Sequence, residues 1–476
     1  MRTIELFIDG SWRAGRGGAT LPVLNPATEQ PVAQLAVAAP QDLDDALASA
    51  AAGLERWRRV PAIERGAVLA AAAARIRANA ADWARELTEE QGKTLAESLG
   101  EIGRAVETFD WCAAEAGRIE GRVIAGRQAG QQRFVLPQPV GVVAAFTAWN
   151  FPAVLVARKL GAALAAGCSV ILKAAEEAPS IAARIVGALA EAGLPAGAVN
   201  LVFGNPPEIS RHLLGSPIVR KLTFTGSTAV GRELARLAAD DLKRCTFELG
   251  GHAPVIVAED ADWEAAVAAA LPYKFATAGQ SCVAPSRFYI HESLYGRFLD
   301  RFVEGARAIA LGDGTEQGVR MGPLANARRL AAMERLTADA EARGARLLLG
   351  GRRLPRKGFF FPPTVLAEVP EEAAVMNEEP FGPIAPFAPV RDLDEAFARA
   401  NRLGYGFAAY LFTRSLKTAA EAGERFAAGN IGINQMSPSL PDAPIGGVKD
   451  SGYGYEGGRA GLEEFLHFRL VNQTIS

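Results

Sequence analysis

The sequence predicts an α/β protein built from two parallel-sheet domains and one smaller β element. The chain has 476 residues, more than a single hydrophobic core usually serves, so two or three domains are expected. Short apolar strands alternate with helical segments between residues 140 and 249, and a second alternating run extends from residue 253 to about residue 434. Such alternation is typical of βαβ units in parallel sheets.

The first 140 residues precede this alternation. Residues 4–12 alternate as an edge strand with a turn at Asp9-Gly10, and residues 24–28 form a turn into a second extended piece. Residues 42–108 have helical periodicity with breaks at Pro61 and Gly92. Residues 121–140 predict a β-ribbon. The strand-like tail, residues 466–475, could join this ribbon within one subunit or across two.

The first alternating run predicts five strands separated by four helices. The strands are residues 140–146, 169–173, 199–202, 221–225 and 245–249, and the helices are residues 153–166, 181–192, 208–214 and 231–239. Parallel sheets bind their ligands at the carboxyl ends of the strands. Asn150, Lys173, Gly226 and Glu248 all fall at that edge.

Composition excludes several functional classes. The net charge of −2 gives no basic surface for nucleic acid or for a membrane. No apolar run reaches the length of a membrane span, and the first ten residues lack the apolar core of a signal peptide, so the cytoplasm is expected. Four scattered cysteines and four histidines make a metal site or a disulfide framework unexpected. Small molecules and further copies of the chain are the expected partners.

Cys282 is the candidate nucleophile. It follows Gly279-Gln280-Ser281, between a helical run at residues 262–275 and a strand at residues 287–290. Reactive side chains are often held in such connections on a rigid scaffold. The alternative is a buried cysteine that acts as a small hydrophobe.

Two motifs of the first run could contact a dinucleotide. Residues 224–231 place Gly226 and Ser227 at a helix N-terminus, where free N–H groups and the helix dipole suit a phosphate; ordinary tight-turn chemistry is the alternative. Lys173 and Glu176 follow another strand of the same sheet and could hold ribose hydroxyls, although a solvated charge pair would have the same sequence.

Three further polar side chains lie next to strand ends or turns, where they could contribute to a site. Asn150, in Trp149-Asn150-Phe151-Pro152, could donate to developing negative charge on oxygen, or it could cap the following helix. Glu248 and Glu379 each precede a glycine-containing stretch, which combines a carboxylate with flexible backbone. The alternative for each is a strand end followed by a turn.

In combination and in order, these motifs make the chain resemble the aldehyde dehydrogenase superfamily over essentially its whole length. The resemblance is carried by residues 149–152, 173–176, 224–231, 248–251, 279–282, 379–382 and 446–452. It implies an aldehyde dehydrogenase-like α/β fold with two Rossmann-like domains. The dinucleotide-binding domain would comprise residues 1–120 and 141–250, the catalytic domain residues 251–455, and an oligomerisation ribbon and tail residues 121–140 and 456–476. A homodimer or homotetramer is expected.

The resemblance also implies roles for the candidate residues. Cys282 would attack the aldehyde, Asn150 would hold the oxyanion, and Glu248 would activate the water that hydrolyses the thioester. The cofactor would contact Trp149, Lys173, Glu176, Gly226, Ser227, Leu249 and Glu379. Because a carboxylate accepts hydrogen bonds from a ribose 2′-hydroxyl but repels a 2′-phosphate, Glu176 predicts that NAD is preferred, with NADP possible.

Within the superfamily the chain is most similar to succinate-semialdehyde dehydrogenases, which hold the distal carboxylate with arginines and a serine. Arg158 matches one of these arginines. Ala276 stands where a second is expected, and Leu440 is assigned to the position of the serine. The expected activity is oxidation of succinic semialdehyde or a related semialdehyde. The alternatives are a dehydrogenase for uncharged aliphatic or aromatic aldehydes, a CoA-acylating relative, and a catalytically silent binding protein.

Overall fold

The N-terminal region combines short strands with a layer of four helices. The computed structural model describes residues 1–436 and 439–475. The first elements are β1 (Arg2–Ile4), β2 (Leu6–Ile8), β3 (Ser11–Arg13), β4 (Thr20–Leu24), β5 (Pro31–Ala36), α1 (Pro40–Trp57), α2 (Ala62–Ala78), α3 (Ala80–Gln91) and α4 (Leu95–Ala116). Helix α3 ends at Gly92, which has a φ of 94° that glycine adopts without strain. Thr94 and Glu97 then form a capping box that starts α4. The sequence predicted the breaks at Pro61 and Gly92 but not the one between α2 and α3.

The next region supplies a parallel sheet with helices between its strands. Its elements are β6 (Arg122–Ala125), β7 (Gln131–Pro139), β8 (Val142–Phe146), α5 (Pro152–Ala166), β9 (Ser169–Lys173), α6 (Pro179–Glu191), β10 (Val199–Val202), α7 (Pro206–Leu214), β11 (Val219–Thr225), α8 (Thr228–Ala239) and β12 (Arg244–Glu248). Strands β8 to β12 are parallel, in the order β12-β11-β8-β9-β10. The antiparallel hairpin of β2 and β3 extends the β10 edge.

A second sheet follows with its own helices. Its region contains β13 (Ala253–Val257), α9 (Trp263–Phe275), β14 (Pro285–His291), α10 (Glu292–Arg307), α11 (Ala327–Ala342), β15 (Arg346–Leu349), β16 (Thr364–Ala367), β17 (Ile384–Val390), α12 (Leu393–Asn401), β18 (Ala408–Phe412), α13 (Leu416–Arg425) and β19 (Asn430–Ile433). The strand order is β15-β16-β17-β14-β13-β18-β19, and only β15 runs antiparallel to its neighbour. The predicted α/β class with two parallel sheets is therefore confirmed.

The C-terminal segment returns to the first sheet and then to the ribbon. It contains β20 (Gly452–Tyr453), α14 (Gly458–Glu463) and β21 (Leu466–Thr474). Strand β20 pairs with β12, and β21 pairs along the length of β7 within the same chain. The resulting three-stranded sheet, β21-β7-β6, leaves large apolar side chains exposed: Val123, Ile124, Leu136, Phe468, Leu470 and Val471.

Two hydrophobic cores lie around the two large sheets. One core packs the helices of the first 240 residues against the sheet of β8 to β12, and the other surrounds β13, β14 and β17. No helix among the described residues is long and apolar enough to cross a membrane. The carboxyl end of β12 leads directly into the second sheet through residues 249–252, so side chains from both cores meet at this crossing.

Candidate active site

Cys282 lies in a strained loop between α9 and β14. Thr277 and Ala278 have φ values of 50° and 53°, and Gly279 follows with 72°. Non-glycine residues in this left-handed region cost of the order of 1–3 kcal/mol each, so surrounding contacts must hold the loop. The N–H of Thr277 donates to Glu97 Oε1 at 2.6 Å. A Cβ on Gly279 would lie 2.3 Å from the carbonyl oxygen of Gly382, so only glycine fits there.

Gln280 provides the second restraint on this loop. Its Nε2 donates to the Thr277 carbonyl at 3.0 Å, and its Oε1 accepts from the N–H of Ala325 at 3.0 Å. The side chain is buried. The loop that presents Cys282 is therefore tied to α4 through Glu97 and to the second domain through Gln280.

Asn150 is buried beside the same loop. Its Nδ2 donates to the Gln280 carbonyl at 3.1 Å, and its backbone carbonyl accepts from Lys93 Nζ at 2.8 Å. The N-cap of α5 is Phe151, without a side-chain cap, so the helix-cap interpretation of Asn150 is wrong. The N–H of Ala153 instead donates to Glu101 Oε1 at 2.7 Å.

Glu101 and Lys93 form a fully buried ion pair beneath this segment. Because Lys93 also holds the Asn150 carbonyl and Glu101 holds the first turn of α5, the pair fixes the asparagine relative to the helix that follows. A buried ion pair adds little net stability compared with apolar residues, but loss of one partner is costly. Its position here favours a role in orientation of Asn150.

Glu248 ends β12 and is buried, with Oε1 lacking a hydrogen-bond partner. Burial and the nearby Glu456 carboxylate raise the pKa of Glu248 well above its usual value, and Arg158 and Lys159 oppose that rise. For Glu456 the positive charges of Lys159 and Arg158 outweigh burial, so its pKa is lowered. The Glu456 carboxylate, although paired with Lys159, therefore disfavours a second negative charge on Glu248.

The Cys282 thiol faces the same group of charges. Burial raises its pKa above the usual value, and the carboxylates of Glu248 and Glu379 raise it further, while Arg158 opposes them. The thiol is thus protonated at neutral pH in this arrangement. Attack on a carbonyl requires a nearby proton acceptor, and Glu248, with its raised pKa, is suited to that task.

These side chains share one cavity of about 270 Å³. Asn150, Glu248, Cys282 and the predicted substrate residue Arg158 all line it, as does Ala276. Its remaining lining residues include Glu97, Gly100, Arg104, Thr108, Phe151, Val154, Leu155, Tyr273, Phe407, Ser439 and Ile445. The structure thus brings together the four residues that the sequence assigned to reaction and substrate.

The assignment of Leu440 as the replacement for a pocket serine is wrong. The guanidinium Nη2 of Arg158 donates to the hydroxyl of Ser439, and Ser439 lines the cavity. Leu440 is 53% exposed and does not. The predicted position was displaced by one residue, in a segment without regular secondary structure where no periodicity shows which side chain faces the pocket. The pocket therefore lacks one expected polar side chain, at Ala276, and not two.

The predicted cofactor residues lie along the carboxyl edge of the first sheet. Lys173 Nζ and Glu176 Oε2 form an ion pair at 2.6 Å, and Glu176 Oε1 also accepts from the N–H of Gly204 at 3.2 Å. At the next loop, Ser227 caps α8 by accepting from the N–H of Val230 at 3.4 Å. The ion pair of Lys173 and Glu176 is partly buried and not fully solvated.

Gly226 and Glu379 shape the side of this edge nearer to Cys282. A Cβ on Gly226 would lie 2.3 Å from the Phe224 ring. Glu379 Oε1 accepts from the N–H of Gly251 at 3.0 Å, and burial raises the pKa of Glu379 to about 7. Leu249 packs against Gly231, and the Trp149 ring meets Phe381 edge-on with centroids 5.5 Å apart. An open helix N-terminus and a strand-end carboxylate fit the phosphates and ribose of a dinucleotide.

Sequence reasoning missed several residues of the cavity. Arg104 and Tyr273 line it from α4 and α9, and Ser439 lines it from the segment after β19. Glu456, which follows β20, does not line the cavity but lies close enough to Glu248 to raise its pKa. Helical spacing could have placed Arg104 on the same face as Glu97 and Gly100, but it could not show what that face contacts. Among the described residues, no group of three or more histidine, cysteine or acidic side chains could hold a metal ion.

Comparison with known proteins gives matches over nearly the whole chain. Residues 12–471 match the model of the aldehyde dehydrogenase family. A 4-(hydroxymethyl)benzenesulfonate dehydrogenase of Comamonas testosteroni is 49% identical over 471 residues, which cover 99% of this chain and 98% of the relative. A succinate-semialdehyde dehydrogenase of Escherichia coli (strain K12), named for NADP(+), is 40% identical over 98% of this chain and 97% of its own. The crystal structure of succinate-semialdehyde dehydrogenase from Burkholderia pseudomallei has a TM-score of 0.97 at 39% identity, with 99% and 98% of the two chains covered.

Proposed function

The chain belongs to the aldehyde dehydrogenase family, and we propose that it oxidises an aldehyde carrying a distal anionic group to the carboxylic acid, with NAD preferred over NADP. Succinic semialdehyde and related semialdehydes belong to this class, and so do aryl aldehydes with a sulfonate or carboxylate. The two relatives named above carry names that refer to a carboxylate compound and a sulfonate compound. A negative charge away from the reacting carbon is the feature that these names share.

The observation that carries the proposal is Arg158. Its side chain is 9% exposed, lines the cavity of Cys282 and hydrogen-bonds to Ser439. No carboxylate of the described residues forms an ion pair with it at 4.0 Å or less. The Glu248 and Glu456 carboxylates interact with its charge from beyond that distance, and a buried cation that no anion contacts directly is unfavourable. An anionic substrate would supply that partner, with the guanidinium as a bidentate donor.

The chain's own residues account for the acyl-transfer chemistry. The Cys282 sulfur would add to the aldehyde carbon while its proton passes to Glu248, whose raised pKa makes it a better proton acceptor than an ordinary carboxylate. The Asn150 amide, held by the Lys93 contact to its backbone, would stabilise the negative charge on oxygen. Once the carbon is oxidised to a thioester and Glu248 has released its first proton to solvent, Glu248 would take a proton from the attacking water and return it to the departing Cys282 sulfur, so that hydrolysis yields the acid and the free thiol.

The bound dinucleotide would serve as the acceptor of a hydride from the substrate carbon. Lys173 and Glu176 would hold its adenosine ribose, Gly226 and Ser227 its phosphates, Glu379 its second ribose, and Trp149 and Leu249 the nicotinamide side. Glu176 would disfavour a 2′-phosphate by charge repulsion, although Lys173 lies within ion-pair distance and reduces that repulsion.

An aldehyde panel tests this function. Succinic semialdehyde, 4-formylbenzenesulfonate and the uncharged butanal and benzaldehyde are each incubated with NAD or NADP, with and without CoA, and reduced nicotinamide is followed by absorbance. We expect higher kcat/KM for each anionic aldehyde than for its uncharged counterpart, and no dependence on CoA. Equal or better use of the uncharged aldehydes would contradict the proposal.

A further inference from the structure

A second arginine, Arg104, reaches the cavity from a different helix. On α4 the residues that line the cavity are Glu97, Gly100, Arg104 and Thr108, spaced three or four apart, so they form one helical face. Arg158 lies on α5, which packs against α4. The cavity thus receives one guanidinium from each of two neighbouring helices.

Arg104 is an exposed residue with no anionic partner among the residues that the structure describes. None of the ion pairs of the described residues includes it, although its guanidinium carbon lies 5.7 Å from the centroid of the Phe151 ring, which also lines the cavity. Burial raises the pKa of the Tyr273 phenol to about 12, and both Arg104 and Arg158 oppose this rise. Both cations therefore lie within electrostatic reach of one hydroxyl on the cavity wall.

The wall between Arg104 and the nucleophile loop is open. At one end of the α4 face, Glu97 accepts a hydrogen bond from the N–H of Thr277. The neighbouring residue Ala276 lines the cavity with a methyl group where the family resemblance predicts an arginine. One turn further, a Cβ on Gly100 would meet nothing within 4 Å. Arg104 follows, about 10 Å along the helix axis from Glu97. Small side chains thus line the wall nearest Cys282, and a cation lies beyond them.

We propose that Arg104 is a substrate-binding residue and that the preferred substrate is an aryl aldehyde with a sulfonate or carboxylate opposite the formyl group. This inference rests on the proposed function. The ring would occupy the space left by Ala276 and Gly100, with its formyl carbon at Cys282. Arg104 and Arg158 would hold the anion from two sides, which suits a sulfonate with three acceptor oxygens. A short aliphatic semialdehyde would leave the space beside Ala276 unfilled.

Steady-state kinetics of two variants test the inference. Arg104→Met removes the second cation, and Ala276→Arg fills the space for the ring. Arg307→Met is the matched control, since Arg307 is exposed at the end of α10 and does not line the cavity. Each enzyme is assayed with 4-formylbenzenesulfonate, benzaldehyde and succinic semialdehyde, and its fold is checked by circular dichroism.

For Arg104→Met we expect KM for 4-formylbenzenesulfonate to rise about tenfold, the low end for a charge-assisted hydrogen bond, because Arg104 is exposed. Its kcat should change little, and the effect on benzaldehyde should be smaller because that ring carries no anion. Ala276→Arg should lower kcat/KM for 4-formylbenzenesulfonate at least about tenfold relative to succinic semialdehyde.

Two outcomes would overturn the inference and leave the proposed function intact. One is that Arg104→Met behaves like Arg307→Met towards the sulfonate. The other is that Ala276→Arg affects the aromatic and aliphatic anions equally. Failure of the proposed function itself would be visible in the wild-type enzyme, as a lack of preference for the anionic aldehydes over the uncharged ones.

Discussion

Replacement of Arg158 by methionine should abolish the proposed preference of the enzyme for anionic aldehydes. Arg158 is 9% exposed, and among the described residues its side chain hydrogen-bonds to Ser439. Truncation of one partner of a buried, hydrogen-bonded charge pair costs about 2–5 kcal/mol. At 2 kcal/mol, kcat/KM for succinic semialdehyde would fall about 30-fold.

Butanal, the uncharged counterpart of succinic semialdehyde, should behave differently because it has no anionic group to pair with Arg158. For butanal, Arg158→Met removes a buried cation and adds apolar surface, so the contribution of this side chain to aldehyde binding should stay level or rise. Arg158 also opposes the raised pKa of Glu248, and its loss would slow both substrates through the base. Arg158→Lys separates the two effects, since it keeps the charge near Glu248 but loses the bidentate geometry.

The assay is kcat/KM for succinic semialdehyde and butanal in the wild type and both variants, with the ratio between the two aldehydes as the readout. We expect the ratio to fall at least about 30-fold in Arg158→Met and by less in Arg158→Lys. A fall of equal size for both aldehydes would refute the reasoning, because it would assign Arg158 to the charge balance of Glu248 and not to the substrate.

Three other perturbations test separate parts of the account. Glu176→Gln should raise kcat/KM with NADP relative to NAD, because it removes the negative charge and frees Lys173 from its ion pair; an unchanged ratio would exclude Glu176 from cofactor selection. As the proposed base, Glu248 would act only above its raised pKa, so thioester hydrolysis should slow as the pH falls through that value. Glu456→Gln should move the inflection to lower pH, because it removes a neighbouring carboxylate that raises the pKa of Glu248; an unmoved inflection would contradict the coupling. Phe468→Asp, at a side chain that is 60% exposed on the ribbon, should lower the molar mass measured by light scattering if the ribbon joins subunits, and an unchanged oligomer would contradict that role.

The sequence predicted most of the scaffold because each element carries a local signal. Apolar runs such as Val142–Phe146 and Ser169–Lys173 are short and uncharged apart from their ends, and both are buried strands of the parallel sheet. The tail was expected to pair with the ribbon in one subunit or across two, and the structure places Leu466–Thr474 on β7 of its own chain. The choice between the two pairings depends on chain path and not on local sequence.

Site residues were predictable where they lie in family motifs. They were not predictable where only tertiary contacts bring them to the site. Asn150, Glu248 and Cys282 lie in recognisable motifs and share one cavity. Arg104 has no motif, and only the packing of α4 beside the cavity identifies it. Glu456 and Lys159 are nearly 300 positions apart in sequence, yet their buried pair helps to determine the pKa of Glu248. Such long-range electrostatic coupling cannot be read from spacing.

The proposed mechanism requires a covalent acyl group on Cys282 that is hydrolysed with Glu248 as the base. Its most direct test is intact-protein and peptide mass spectrometry of Glu248→Gln after rapid mixing with an anionic aldehyde and NAD. We expect one burst of reduced nicotinamide and an acyl adduct that maps to Cys282, with neither signal in Cys282→Ala. Full steady-state turnover by Glu248→Gln without an adduct, or an adduct at another residue, would contradict the account.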